Sequence, residues 1–214
     1  MAYPTVSAPY GLKPVNLIGG RVYAGSTRTF PIVNGYGTSL FNGDVVQIGT
    51  SANIGTLVAS TLAYNASSAV AGTIGVFVGC EYSTTGGPIY GKNRYQFWNA
   101  STSAPDAIGY VVDDPQAVFQ TVVLAQGSNS STIQYINPAF VGSNAYYIGN
   151  AAGNTGSTTT GDSAFGVTLT GAGTTATIPL RVIDVVPETA SSAGVYTELL
   201  VKINTHQYNN TTGV

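Results

Sequence analysis

The sequence is short of charge. Only 7% of its 214 residues are Asp, Glu, Lys or Arg, against roughly 25% in ordinary soluble domains. The seven basic residues are scattered between Lys13 and Lys202, and the formal net charge is −2. Because binding to a phosphate backbone needs clustered basic side chains, we expect no nucleic-acid partner. A nearly uncharged surface rich in Ser, Thr, Asn and Tyr suits a subunit of an assembly better than a free monomer.

Cysteine and histidine occur once each, as Cys80 and His206. One cysteine excludes an internal disulfide, and the pair is too small a set for a zinc site, so we predict no metal and no cofactor. The first residues lack the charged and apolar regions of a secretory signal. No apolar run approaches the roughly 18 residues of a membrane helix, so we expect no membrane partner.

Helix patterns are missing as well, because no apolar period of 3.6 residues is sustained over three turns. The chain has instead many short β-prone runs separated by Gly, Pro and Asn turns. The strongest run covers 72–82, where Gly75 and Gly79 would let another backbone come close. This pattern predicts an all-β fold, either a barrel or a sandwich, with Cys80 buried and inert on its central strand. Further strands are predicted at 21–33 (broken near Gly25), 45–48, 57–64, 90–98, 108–112, 117–125, 165–169, 176–186 and 195–204.

The proline spacing at the start of the chain predicts a separate segment. Pro4, Pro9 and Pro14 discourage helix and central strand, so residues 1–20 are predicted to form an extended N-terminal arm that binds another surface. A tail packed on its own domain fits these residues equally well. The rest, 21–214, is predicted to be a β-rich body with a soft boundary near 126–131 that would divide it into two lobes.

Long loops rich in Gly, Ser and Thr are the other feature of the predicted body. Residues 149–163 are almost wholly small and polar, which predicts a surface loop or mobile flap. Residues 129–150 are irregular and fit either a short helix or a strand pair.

Two stretches come close to ligand-binding motifs. Residues 86–93 nearly have the spacing of a phosphate-binding loop, but Pro88 removes an amide and Asn93 replaces the hydroxyl that would hold magnesium. A plain hairpin loop is therefore favoured. Asp113 and Asp114 precede a proline, where a carboxylate usually accepts from nearby backbone amides, so a turn is favoured over a metal site.

One pair of residues could serve a hydrolase. Ser163 would be the nucleophile and His206 the base. However, Ser163 is not followed by the glycine of a nucleophile elbow, and His206 lies outside the predicted core. We therefore expect no enzymatic activity.

Aromatic side chains alternate with two cations between Lys92 and Trp98. Tyr95, Phe97 and Trp98 beside Arg94 could stack on bases or sugars. With so few cations in the chain, core packing or a protein interface is favoured.

Five segments together resemble virion proteins of tailed phages, especially phages of cyanobacteria and other marine bacteria. They are an APFGLRPV-like arm motif at 8–15, an LF-x-GD-x-V turn motif at 40–46 and a GVFVG-x-xY strand motif at 75–82. A V-x-DDP-x-x-x-F motif (the DDP motif) follows at 111–119, and a V-x-IN-x-HQY terminal motif lies at 201–208. The order is consistent and the set spans most of the chain.

The resemblance implies a capsid decoration, or cement, protein. Such a subunit is non-enzymatic, is made in the host cytoplasm, and binds the major capsid protein lattice on the outer surface of the virion, where it stabilises the head. The resemblance also implies a homo-oligomer, with a trimer favoured and a dimer possible, and an arm that adds to a capsid strand. The residues expected at the capsid or subunit interface are Tyr3, Pro4, Pro9, Tyr10, Leu12, Pro14, Tyr95, Trp98, His206 and Tyr208.

An alternative function places the chain elsewhere on the particle. It would be a glycan- or receptor-binding module of a phage head or tail fibre, with Trp98 and its aromatic neighbours lining an exposed groove.

Overall fold

The computed structural model describes residues 6, 8–50, 53–60, 72–83, 91–124, 138–149, 155–189 and 196–209. The regular structure within these ranges is β-strand, apart from short 3₁₀ turns such as those at Pro138–Phe140, Pro187–Thr189 and Gln207–Asn209. The strands form two antiparallel sheets that pack together. The all-β prediction is therefore confirmed, and of the two predicted architectures the described ranges form the sandwich, with no closed barrel.

Thirteen strands make up the two sheets in the described ranges. They are β1 (Lys13–Leu17), β2 (Arg21–Val22), β3 (Arg28–Pro31), β4 (Val45–Ile48), β5 (Leu57–Ala59), β6 (Thr73–Tyr82), β7 (Asn93–Tyr95), β8 (Ile108–Val112), β9 (Ala117–Val122), β10 (Asn144–Ile148), β11 (Gly166–Gly173), β12 (Leu180–Val185) and β13 (Glu198–Ile203). The seven-stranded sheet has the order β11-β10-β12-β13-β9-β1-β2. The six-stranded sheet has the order β3-β8-β6-β4-β5, with β7 paired to β6.

Strand β6 is the longest element and confirms the predicted central strand. Its glycines serve the predicted close approach: Gly75 has φ 147°, and a Cβ there would lie 2.1 Å from the carbonyl oxygen of Val112 on β8. Two irregularities in its pairing, around Ile74 and around Val78, shift the alternation of side chains. Both faces of the sheet are covered, and β6 contributes buried side chains to each.

The two faces of the six-stranded sheet belong to two different cores. The inter-sheet core packs Val45, Val76 and Val112 against the seven-stranded sheet, including Phe119 and Val201. The outer core lies on the other face of the six-stranded sheet. It is covered by loop residues rather than by a third sheet, and its members include Leu40, Phe77, Cys80, Trp98 and Ala104.

Cys80 is buried in the outer core, where its Sγ lies 3.4 Å from the carbonyl oxygen of Phe97. Burial raises the pKa of its thiol to about 12. The thiolate is the reactive form, so we expect native protein to resist alkylation by iodoacetamide at pH 8 and unfolded protein to react with one equivalent. Mass spectrometry checks this, and rapid labelling of the native chain would contradict the buried position.

The prediction of a separate N-terminal arm is wrong for residues 8–20, the part of it that the structure describes continuously. Strand β1 lies inside the seven-stranded sheet between β9 and β2, with Pro14 opposite Phe119. Leu12 is buried in the inter-sheet core. Proline was compatible with this strand because the irregularity between Pro14 and Asn16 interrupts the ladder there. The alternative, a segment packed on its own domain, is the one observed for 8–20.

The predicted boundary near 126–131 lies outside the described residues. Among those described, the chain changes sheets between β2 and β3 and again after β8, at Asp113 and Asp114. The seven-stranded sheet therefore combines the first two of the thirteen described strands with the last five.

The predicted flap at 149–163 is partly packed on the body. Residues 150–154 lie outside the described residues, but Gly161 and Ser163 are buried. A Cβ on Gly156 would overlap the ring of Phe41, at 2.2 Å from its Cγ. The described part, 155–163, is thus a covering segment that fits closely on the turn motif.

Candidate functional site

The turn at Asn42, Gly43 and Asp44 is the point where the arm, turn and strand motifs meet. The N–H of Leu12 donates to the Gly43 carbonyl at 2.9 Å, and the N–H of Gly43 donates to the Phe77 carbonyl at 2.9 Å. Phe77 in turn donates to the Asp44 carbonyl at 2.9 Å. We call the turn 42–44 and the residues bonded to it the Gly43 junction.

Two glycines make this meeting sterically possible. A Cβ on Gly11 would lie 2.3 Å from the Gly43 carbonyl oxygen, and a Cβ on Gly43 would lie 2.4 Å from the Tyr10 carbonyl oxygen. Both residues have positive φ, 76° and 97°. The glycines of the arm and turn motifs are therefore required where the two backbones cross.

The DDP and terminal motifs join the same scaffold. Phe119 lies on β9, opposite Pro14 of the arm motif on one side and Val201 of the terminal motif on the other. Tyr208, near the end of the terminal motif, donates to Asp113 Oδ2 of the DDP motif at 3.1 Å. The five motif segments, widely spaced in sequence, thus form one connected framework.

A buried acid lies at the centre of the Gly43 junction. The Asp44 side chain is 5% exposed, and its Oδ2 accepts from the Phe41 N–H at 2.8 Å. Burial raises the pKa of Asp44 to about 7, while the Ser163 side chain and the Phe41 amide act in the opposite direction. Fully buried Tyr147 reaches the junction from β10, where its hydroxyl accepts from the Val45 N–H and donates to the Gly43 carbonyl. Burial also raises the pKa of Tyr147.

A cleft of about 710 Å³ opens beside the junction. One wall is the N-terminal segment (residues 8–12), with Pro9 and Tyr10, and the other is the covering segment, with Asp162 and Ser163. The Tyr10 hydroxyl donates to Glu198 of β13, and burial together with that carboxylate raises the pKa of Tyr10. The cleft mixes hydroxyl, carboxylate and apolar groups without a dominant charge.

Ser163 and His206 are not assembled as a catalytic pair. The Ser163 Oγ accepts from the Phe165 N–H at 3.1 Å and lies in the Asp44 network. The His206 Nδ1 accepts from the Tyr208 N–H, and its Nε2 is buried with no hydrogen-bond partner in the described residues. Neither ring nitrogen therefore bonds to the serine.

The two aspartates of the DDP motif have structural partners. Asp114 Oδ1 accepts from the Gln116 N–H at 2.7 Å, which confirms the predicted turn chemistry. Asp113 forms an ion pair with Arg28 at 2.9 Å. Within the described ranges there is no group of three His, Cys, Asp or Glu side chains placed to hold a metal.

The near-phosphate loop leads into a strand rather than a helix. Its residues 86–90 lie outside those described, but Asn93 begins β7, which pairs with the end of β6. A strand presents no helix N-terminus to an anion, which agrees with the sequence-based rejection of this motif.

Several predicted interface residues are unavailable for contact. Trp98 is 0% exposed and His206 is 1% exposed, and Leu12 is buried as well. Their assignment to an interface is wrong, because a partner cannot touch a side chain that its own chain covers. For Trp98 the predicted alternative of core packing is correct: its Nε1 donates to the Tyr36 carbonyl at 3.2 Å.

The remaining predicted interface residues differ in how exposed they are. Tyr208 is exposed, and Arg28 lies over its ring. Tyr3 and Pro4 lie outside the described residues. The half-buried ones are Pro9, Tyr10, Pro14 and Tyr95.

Three exposed aliphatic side chains lie near one end of the seven-stranded sheet, and two of them fall within residues 1–20, the segment predicted to bind another surface. Val15, Ile18 and Val22 are 42%, 36% and 82% exposed and lie on β1, β2 and the turn between them. Strand β2 is the last strand at its end of the seven-stranded sheet. The irregularity between Pro14 and Asn16 interrupts the alternation along β1, so a period of two does not predict which of its side chains are exposed. We call these three side chains the edge patch.

Comparisons with protein-family models, curated proteins and solved structures gave no match to this chain. No helix in the described ranges is long and apolar enough to cross a membrane.

Proposed function

We propose that the chain is a capsid decoration subunit that binds the outer lattice of a phage head and stabilises it. The observation that carries the proposal is the Gly43 junction with its connected framework. The segments on which the resemblance rests meet in space and need their glycines, buried aromatics and carboxylate for packing. A shared scaffold therefore explains why these motifs occur together.

The edge patch is the contact surface that we propose for the capsid or for a neighbouring subunit. An edge strand offers unpaired backbone groups, and here it lies beside three exposed aliphatic side chains. The sequence carries little charge that would have to be desolvated in such a contact. Many identical weak contacts on a lattice add through multivalency, so a small patch on each subunit suffices.

The alternative, a glycan- or receptor-binding module, loses its predicted groove because Trp98 lies in the outer core. The decoration role needs no such groove.

The test is co-sedimentation with empty heads of the phage that encodes this chain. Wild type should bind and raise the temperature at which the heads rupture. The triple variant Val15→Asp, Ile18→Asp, Val22→Asp should bind at least about tenfold more weakly, because three desolvated carboxylates oppose the contact. Ile54→Asp is the matched control, since Ile54 is 76% exposed but lies on the β4–β5 turn.

The outcomes separate the function from the surface. Absence of wild-type binding would count against the decoration role itself. Full binding by a folded triple variant would move the contact away from the edge patch. A second variant that lacks residues 2–7 keeps Leu12 and β1, and a loss of binding there would assign the contact to the first residues.

A further inference from the structure

The Asp44 carboxyl has too few partners to remain charged in its site. Its Oδ1 is buried with no hydrogen-bond partner among the described residues, Oδ2 accepts from the Phe41 amide, and the Ser163 side chain is the other group that favours the charged form. An ionised carboxylate removed from water in this way is strongly unfavourable, so the neutral acid is the form that fits.

No cation compensates for this acid within the described ranges. The titratable group that faces it from β10 is the Tyr147 phenol, which is fully buried. On the covering segment, the neighbouring Asp162 carboxylate accepts from Gln96 instead. On the N-terminal segment, Tyr10 is bonded to Glu198 of β13. Burial therefore decides the charge of Asp44, whose pKa lies at about 7.

The turn that carries Asp44 fastens two segments to the body. It holds the N-terminal segment through the bond from Leu12 N–H to the Gly43 carbonyl. It holds the covering segment through Asn42, whose N–H donates to the Gly161 carbonyl and whose carbonyl accepts from the Ser163 N–H, both at 2.9 Å. These two segments are the opposing walls of the cleft.

From this arrangement we propose that the Gly43 junction is a pH-dependent fastening, in which protonation of Asp44 keeps the N-terminal and covering segments bound to the body. With Asp44 protonated, the N-terminal and covering segments are held against the body, and the cleft keeps the width that the structure shows. When Asp44 ionises, the carboxylate draws water into the junction and both walls loosen. The device is independent of the capsid role proposed above.

The sign of the effect follows from proton linkage. The unfolded chain loses the Asp44 proton near pH 4, whereas the native chain keeps it to about pH 7. Native protein therefore binds more protons in this window, and stability falls as pH rises through it. Buried His206, whose pKa is lowered by burial, acts in the opposite sense below pH 6.5. A comparison with Asp44→Asn isolates the aspartate, because asparagine has the shape of the neutral acid.

The experiment is urea unfolding at pH 5, 6, 7 and 8, followed by the fluorescence of Trp98, the single tryptophan. The ratio of the wild-type to the Asp44→Asn unfolding constant should rise about fiftyfold from pH 5 to pH 7, and about a further twofold by pH 8 as it levels off. Asp162→Asn is the control and should follow wild type. A ratio that stays flat over this range would overturn the proposal.

A local measurement distinguishes fastening from general loosening. Hydrogen exchange of the Leu12 and Ser163 amides, corrected for intrinsic rates, should lose protection between pH 5 and pH 8 in wild type only. Amides of the edge strand β3 that exchange by local fraying should not change, whereas amides that exchange only by global unfolding should follow the urea result. Uniform loss of protection would overturn the fastening, and so would an Asp44 carboxyl ¹³C titration midpoint below pH 5, which needs no variant at all.

Discussion

Trp98→Ala is expected to destabilise the isolated protein by about 3–5 kcal/mol, the usual range for removing a large buried aromatic. Trp98 is 0% exposed, and its ring packs edge-on against that of Tyr82, with 5.5 Å between the ring centroids. Its backbone N–H and carbonyl both form hydrogen bonds with the backbone of Leu40. Its loss leaves a cavity in the outer core that covering loops cannot easily fill. Urea unfolding followed by circular dichroism measures the change.

Two further variants, Val22→Ala and Trp98→Phe, serve as controls for Trp98→Ala. Val22→Ala, at a side chain 82% exposed, should change the free energy of unfolding by no more than about 0.5 kcal/mol. Trp98→Phe keeps most of the ring volume and should cost clearly less than Trp98→Ala. A Trp98→Ala protein of normal stability that failed to bind heads would restore the interface prediction that burial contradicts.

Gly43→Ala is the second change with a large expected effect, about 3 kcal/mol or more. The added Cβ would lie 2.4 Å from the Tyr10 carbonyl oxygen, and the backbone is held at φ 97°. Overpacking and backbone strain each cost about 1–3 kcal/mol at such positions. Relief of the clash requires the N-terminal segment to move off the turn.

Gly19→Ala is the matched control for the Gly43 variant. Gly19 has a similar φ of 85°, but a Cβ there would meet nothing within 4 Å. Only the conformational part of the cost remains, about 1 kcal/mol. Equal destabilisation by the two variants, in thermal unfolding at fixed pH, would mean that the close approach of Gly11 and Gly43 contributes nothing.

Local chemistry predicted the strands but could not predict which strands pair. The runs that became β4, β6 and β8 were correct because β-branched residues lie between clear turn signals there. The pairing of β1 with β9 joins residues about a hundred positions apart, and no local pattern encodes it. The prolines within residues 1–20 led to the prediction of an arm. The sequence does not show that an irregularity in the pairing of β1 with β9 would accommodate Pro14 inside a sheet.

The buried acid illustrates the same limit at the candidate site. Asp44 follows Asn42 and Gly43, an ordinary turn sequence in which aspartate is usually solvated. Only the fold brings Tyr147 and Ser163 over it and removes water. Trp98 was ambiguous for a related reason: the composition favoured core packing or an interface, and only the bonds to Leu40 and Tyr36 decide between them.

The position of β13 has a consequence for synthesis. This strand, the last in the described chain, lies between β9 and β12 in the middle of the seven-stranded sheet. Until residues 198–203 leave the ribosome, the strands on its two sides cannot be joined through it, and the apolar face of the six-stranded sheet lacks its full cover. Because such distant pairings form slowly, the nascent chain carries exposed strand edges until β13 has been made. Chains that end before Glu198 should therefore aggregate rather than form a smaller sandwich.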